Sequence, residues 1–295
     1  MSDPARWYVG PLHGSIYLAL SLAWMIALGT AVAITLIAFA GVEAVTPSEG
    51  TAQLGAGWMG AITGVQTVGL GAIALALLPL VPSGDGVFDR PSVATLRQRY
   101  TRGLALRIAG TPWWIAATVV GCTIGFVAGA IAEWVDANLP QGTPDSLEML
   151  RELFATASAP ELAVLCFAVC VLAPVVEELV FRGYLWHALS RSMPQWLVFV
   201  CTTLLFAAYH VYPVQALALV PTSLLLGWLR WRSGSLFPAI LAHMVNNVLA
   251  ALGSVALDPD VALETDLAGW QVGLAATLAV SAVAAAELWT ARRHA

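Results

Sequence analysis

The chain has 295 residues, of which 59% are hydrophobic and only 11% charged, with a net charge of −5. A soluble domain averages about 25% charged residues, so a water-soluble enzyme is excluded, no nucleic-acid partner is expected, and the class that fits is a polytopic membrane protein. Its four cysteines (Cys122, Cys166, Cys170 and Cys201) lie in apolar stretches without C-x-x-C spacing, and are expected as small buried hydrophobes rather than a metal or redox site.

A membrane-crossing helix needs about 20 mostly apolar residues. That rule predicts eight spans, near 15–40, 56–81, 112–133, 161–188, 195–211, 214–230, 235–256 and 268–289. The first is long enough to be a retained helix rather than a cleaved signal. Loops near 41–55, 134–160 and 257–267 are acidic, whereas those near 82–111, 189–194 and 231–234, together with both tails, hold most of the arginines. The positive-inside rule then places both termini in the cytoplasm of what reads as a prokaryotic plasma membrane. The whole chain, 1–295, is expected to form a single integral membrane domain, an all-α bundle.

Trp113, Trp134, Trp186, Trp196, Trp231, Trp270 and Trp289 fall near predicted span ends, as expected of an interfacial belt. Small residues at four-residue spacing (Gly60 and Gly64; Gly121, Gly125 and Gly129) predict close helix contacts. Thr143-Pro144-Asp145 reads as a helix start. The following Leu147, Leu150 and Phe154 share a face opposite Glu148, Arg151 and Glu152, which predicts a short amphipathic helix on the outer interface.

The fourth span carries Glu177-Glu178-Leu179-Val180-Phe181-Arg182, the fifth ends in Phe206-Ala207-Ala208-Tyr209-His210, and the seventh contains His243-Met244-Val245-Asn246-Asn247. Ionisable groups at bilayer depth are costly and mark function by default. At about 100° per residue, Glu178 and Arg182 share a helix face and are predicted to pair, while Glu177 points about 100° from Glu178 and about 140° from Arg182. Glu177 is therefore left to face a polar cavity, with Glu178 and Arg182 as support, and Pro174 is expected to kink the helix beside it. His210 and His243 could each hold a water, exchange a proton or bind a metal. Asn247, one turn after His243, or Asn246, could add an amide donor.

These three runs resemble the EExxxR, FxxxH and HxxxN motifs of the CAAX prenyl protease and bacteriocin-processing (CPBP) intramembrane proteases, whose eukaryotic member is the Ras-converting endopeptidase. The likeness covers about residues 160–255, spans four to seven; spans one to three and eight match only in being hydrophobic. It implies an intramembrane endopeptidase acting on a peptide or protein substrate, lipidated or not. It further implies that Glu177 activates water with help from His210, that His243 and Asn247 bind the oxyanion, and that Glu178 and Arg182 support the site. No cofactor is expected: metal-free general-base catalysis is favoured over a zinc site formed by Glu177, His210 and His243. The rivals are a proton-coupled transporter, which also uses buried Glu and His, and a non-catalytic scaffold or immunity protein. Depth is a difficulty for straight helices, since Glu177 lies roughly 24 Å from the outer start of span four and His210 roughly 22 Å from the inner start of span five. A hairpin of short spans five and six, with a span four that is long, tilted or broken at Pro174, would bring them level.

Overall fold

Apolar runs punctuated by proline, glycine and arginine become helices throughout the computed structural model, which describes residues 12–21, 23, 24, 27, 31, 56–81, 93–140, 146–256 and 269–292. Among these residues there is no strand. The helices are α1 (12–21), α2 (Ala56–Leu77, closed by a 3-10 turn at Leu78–Leu80), α3 (Val93–Gly103), α4 (Thr111–Asn138) and α5 (Ser146–Thr156). They continue with α6 (Ala159–Leu189), α7 (Gln195–Tyr209), α8 (Pro213–Ser233), α9 (Phe237–Ala256) and α10 (Gly269–Arg292).

Five stretches are long and apolar enough to cross a membrane: Met59–Leu80, Thr111–Asn138, Ala159–Leu189, Phe237–Val255 and Gln271–Arg292. Of the other three expected spans, 195–211 forms the shorter α7 of 15 residues. Span 214–230 forms α8, whose 21 residues include Gln215, Pro221, Arg230 and Arg232. Span 15–40 lies mostly outside the described residues. The outer surface supports a lipid environment, since Val68, Ile115, Phe126, Phe167, Leu204, Leu217, Leu252 and Leu278 are all exposed. Apolar area costs about 25 cal/mol per Å² in water. The chain is an integral membrane protein.

Local signals set the helix ends. Ser158 and Glu161 form a capping box at the start of α6, with the Ser158 amide donating to the Glu161 carboxylate at 3.0 Å and satisfying an orphan donor of the first turn. Pro112 and Pro213 open α4 and α8, where their missing N–H costs nothing. Gly234 ends α8 with φ +62°, a left-handed conformation that glycine adopts without steric penalty.

α4 is the central post, packed against α8, α9 and α10 through Ala116, Ala117, Val120, Leu226, Leu229, Ala242 and Val283. A Cβ on Gly121 would stand 2.7 Å from the Ala242 carbonyl oxygen, and one on Gly60 would stand 3.1 Å from the Leu165 Cα, so both glycines admit a neighbouring backbone as expected. α2 packs along α6, and α1 adds Tyr17 to the cluster formed by Phe181, Tyr184 and Phe206.

Three sequence expectations need correction. Trp134, Trp196 and Trp289 are exposed as a belt requires, but Trp113 and Trp186 are buried; Trp113 fills the core around α4 and Trp186 bonds Gln195. Cys170 is buried, but Cys122 is exposed and Cys166 and Cys201 are half-buried, since apolar side chains here need no shelter from lipid. α5 forms as expected, but it does not simply rest on an interface: Phe154 and Leu150 pack against Leu165, Cys170 and Ala251 of α6 and α9. Its predicted start at Thr143, Pro144 and Asp145 lies outside the described residues.

Candidate active site

α6 carries the acids, and its backbone is irregular around them. It passes from α-helix (Ala159–Cys166) to π-helix (Phe167–Leu172), back to α-helix (Ala173–Glu178), and again to π-helix (Leu179–Leu185). π segments are rare and frequent at functional sites. Pro174, which has no N–H to give, falls just after the first, so the helix continues through the proline by changing register rather than breaking.

The predicted pair is present. Arg182 Nη1 donates to Glu178 Oε1 at 2.8 Å, and both side chains are fully buried. Arg182 Nη2 reaches the Ser223 hydroxyl at 2.6 Å and its carbonyl at 3.1 Å, tying α6 to α8. The guanidinium carbon lies 4.3 Å from the centre of the Phe206 ring, a cation–π contact from α7. This clustering of acceptors around Arg182 compensates a charge that would otherwise be stranded in a low-dielectric interior.

His243 stands between the two acids. Its Nδ1 is 3.1 Å from Glu178 Oε1, and its Nε2 is 3.8 Å from Glu177 Oε2. In the tautomer that carries its hydrogen on Nδ1, His243 donates to Glu178, and Nε2 is the nitrogen that faces Glu177. A carboxylate behind an imidazole fixes both its tautomer and its ring orientation.

Glu177 is the more accessible acid, its side chain 18% exposed. With Tyr17, Thr67 and Tyr209 it lines a cavity of about 10 Å³, about the volume one water needs. Gly71 of α2 lets the helices approach here, since a Cβ on it would meet Val176 at 2.9 Å.

His210 ends α7. Its Nδ1 lies 2.9 Å from the Phe206 carbonyl oxygen, and its ring is 5.0 Å from the Phe206 ring, which also packs 5.8 Å from His243. Phe206 thus joins both histidines and Arg182. Val211 has φ +62°, rare for a β-branched residue, and the Tyr212 amide bonds the His210 carbonyl at 2.6 Å across this tight corner. The corner stops α7 directly after His210.

Asn247 turns to the π segment of α6, donating to the Val169 carbonyl at 2.9 Å, and its Oδ1 accepts from Asn246 at 3.4 Å. Of the six predicted site residues, the structure joins Glu177, Glu178, Arg182 and His243 directly. His210 enters through Phe206, and Asn247 through α6. Among the described residues no three His, Cys, Asp or Glu side chains are placed to share a metal ion; Glu177 and His243 come together, but His210 does not complete a trio with them. Ser223, Phe206, Thr67 and Tyr209 were not singled out as site residues from sequence. Ser223 and Thr67 are the kind of small polar residue within an apolar helix that could have drawn attention.

An acid doublet, an arginine and a histidine are thus brought together inside the helical bundle of an integral membrane protein. Residues 159–249 match the family model described as type II CAAX prenyl endopeptidase Rce1-like, of the CPBP family. The segment runs from the first turn of α6 into α9 and contains all six residues. A curated protein of Escherichia coli, described as an uncharacterized 24.3 kDa protein, is 31% identical over 153 residues, covering 50% of this chain and 65% of its own length. The chain thus spans just under two thirds of that relative. No solved structure matches.

Proposed function

We propose that the protein is an intramembrane endopeptidase in which Glu177 is the general base. The observation that carries this reading is the contrast between the adjacent acids: Glu178 is committed to Arg182 and His243, while Glu177 faces a water-sized cavity. A water there, held by Glu177 and the hydroxyls of Thr67, Tyr17 or Tyr209, gives its proton to Glu177 as its oxygen attacks the peptide carbonyl. His243 Nε2, beside Glu177, is placed to take up that proton and pass it to the leaving amine. When Nε2 is protonated it is also a donor for the oxyanion, the role the family resemblance implies for it with Asn247. His210, joined to His243 through the Phe206 ring, is the imidazole that the family resemblance assigns to helping Glu177 activate the water.

The family implies a peptide or protein substrate, and we infer that it enters from the lipid side, prenylated or not. The test is hydrolysis of a panel of prenylated and unprenylated peptides by the purified protein, with and without chelator. Glu177→Gln keeps the shape and removes the basicity, so turnover should fall about 10²–10⁴-fold while folding and peptide binding persist. Near-normal proteolysis by Glu177→Gln would refute the general-base role, and a folded wild-type protein that hydrolyses no peptide of the panel would favour a non-catalytic scaffold.

A further inference from the structure

At the arginine-rich end of the bundle one guanidinium lacks a counter-charge. Arg230, in the last turn of α8, is only 8% exposed. Its Nε donates to the Arg182 carbonyl oxygen at 3.0 Å, and its guanidinium lies 5.5 Å from the centre of the Trp186 ring. Among the described residues neither of its Nη atoms has a protein acceptor, and no carboxylate pairs with it. The nearby acids are committed elsewhere: Glu178 to Arg182 and His243, and Glu287 to Arg232 and Trp228. Helix C-terminal carbonyls favour a cation, yet they leave the outer edge of this guanidinium unmatched, and a buried cation without an anion is strongly disfavoured.

More positive charge gathers around it. Arg107 is near enough to act electrostatically on Arg230, and Arg191 and Arg230 both act on His187. Arg107 is itself fixed in place, donating to the Gly234 and Ser233 carbonyls at 2.6 and 3.2 Å. Three arginines converging where helices end form a site for an anion with several oxygens, and the planar guanidinium fork suits phosphate. Beside Arg107, Ile108 is 86% exposed, an apolar contact that a free phosphate would leave unused and a lipid would cover.

We propose that Arg230, flanked by Arg107, Arg191 and His187, binds the phosphate of an anionic lipid headgroup at the membrane interface. The experiment is native mass spectrometry of the full chain released from membranes containing phosphatidylglycerol or phosphatidylcholine, repeated with inorganic phosphate added to the phosphatidylcholine sample. Phosphatidylglycerol should be retained preferentially, and Arg230→Gln should weaken its retention about tenfold or more, as expected for a lost charged hydrogen bond. Arg97→Gln, exposed on α3, should not change it. If Arg230→Gln does not fold, Arg191→Gln is read on the same scale and should weaken retention several-fold. Phosphate adducts that depend on Arg230 without lipid selectivity would keep the phosphate site and assign the free anion as its ligand. Equal retention of the two lipids with no phosphate adduct, or undiminished phosphatidylglycerol retention by a folded variant, would overturn the proposal.

Discussion

Removing the charge of Glu178 tests how the site is held together. Arg182 and Glu178 are both fully buried and 2.8 Å apart, so neither can recover solvation when its partner is lost. Breaking such a pair costs about 3–5 kcal/mol. In Arg182→Gln the stranded acid keeps His243, and in Glu178→Gln the stranded guanidinium keeps the Ser223 hydroxyl and carbonyl and the Phe206 face; both remnants place the singles toward the lower bound, about 3 kcal/mol. Independent effects would make the double variant about 6 kcal/mol less stable. Because the double variant buries no unpaired charge, its loss should instead stay close to that of one single, a coupling of about 3 kcal/mol. Unfolding by increasing SDS in mixed micelles, run on all four proteins, measures it. Additive losses would show that the pair is not coupled, and the electrostatic account of the site would fail with it.

Three further outcomes follow from other parts of the molecule. Gly121→Val places atoms where the Ala242 carbonyl and Val245 already stand, so α4 and α9 must separate, at a cost of about 1–3 kcal/mol seen as a lower unfolding temperature; Gly253→Ala, with nothing within 4 Å, should be neutral or stabilising. Thr67→Val and Tyr209→Phe strip hydroxyls from the cavity beside Glu177, and each should lower kcat about 3–10-fold, corresponding to ~0.5–1.5 kcal/mol for a neutral hydrogen bond, without changing the unfolding temperature. Reporters fused at Ala295 and within 82–91 should report the cytoplasm and one within 140–143 the opposite side, as the arginine distribution requires; the same side for Ala295 and 140–143 would refute the topology.

The parts of the site legible in the sequence are those set by one helix. The four-residue spacing of Glu178 and Arg182 gives their pairing directly, and the angular offset of Glu177 gives its separate outlook. What sequence could not supply is the register between helices. His243 meets Glu178 where α9 packs against α6, and no spacing within 243–247 encodes that contact. The same limit applies to Asn247, whose amide is used by the Val169 carbonyl of a π segment that apolar composition cannot distinguish from α-helix. The tryptophan belt failed at Trp113 and Trp186 because proximity to a span end does not say which face of the helix a side chain occupies.

The depth problem resolves once positions are measured from the end that the helices share. α6 has 31 residues, about 46 Å at 1.5 Å per residue, against a hydrocarbon core of about 30 Å; counting from its far start therefore misplaces Glu177. Counted back from Leu189, Glu177 is about 18 Å along α6, and counted forward from Gln195, His210 is about 22 Å along α7. The two lie at similar depth because the 190–194 turn joins these helix ends, and the Phe206 ring spans the remaining gap. His243 is only about 9 Å from the start of α9, yet it reaches the same level because α9 starts deeper in the bundle. Leu104 packs against Gly183, six residues inside the end of α6, where a Cβ would meet it at 2.7 Å. The Leu236 amide bonds the Ala105 carbonyl of that same loop at 3.1 Å, and Ser235 donates to the Arg107 carbonyl. This inset loop, with Ala105 at φ +51°, lifts the start of α9 by about 9 Å, the distance His243 needs to lie beside the acids. The geometry of the site thus depends on a loop that contains none of its residues.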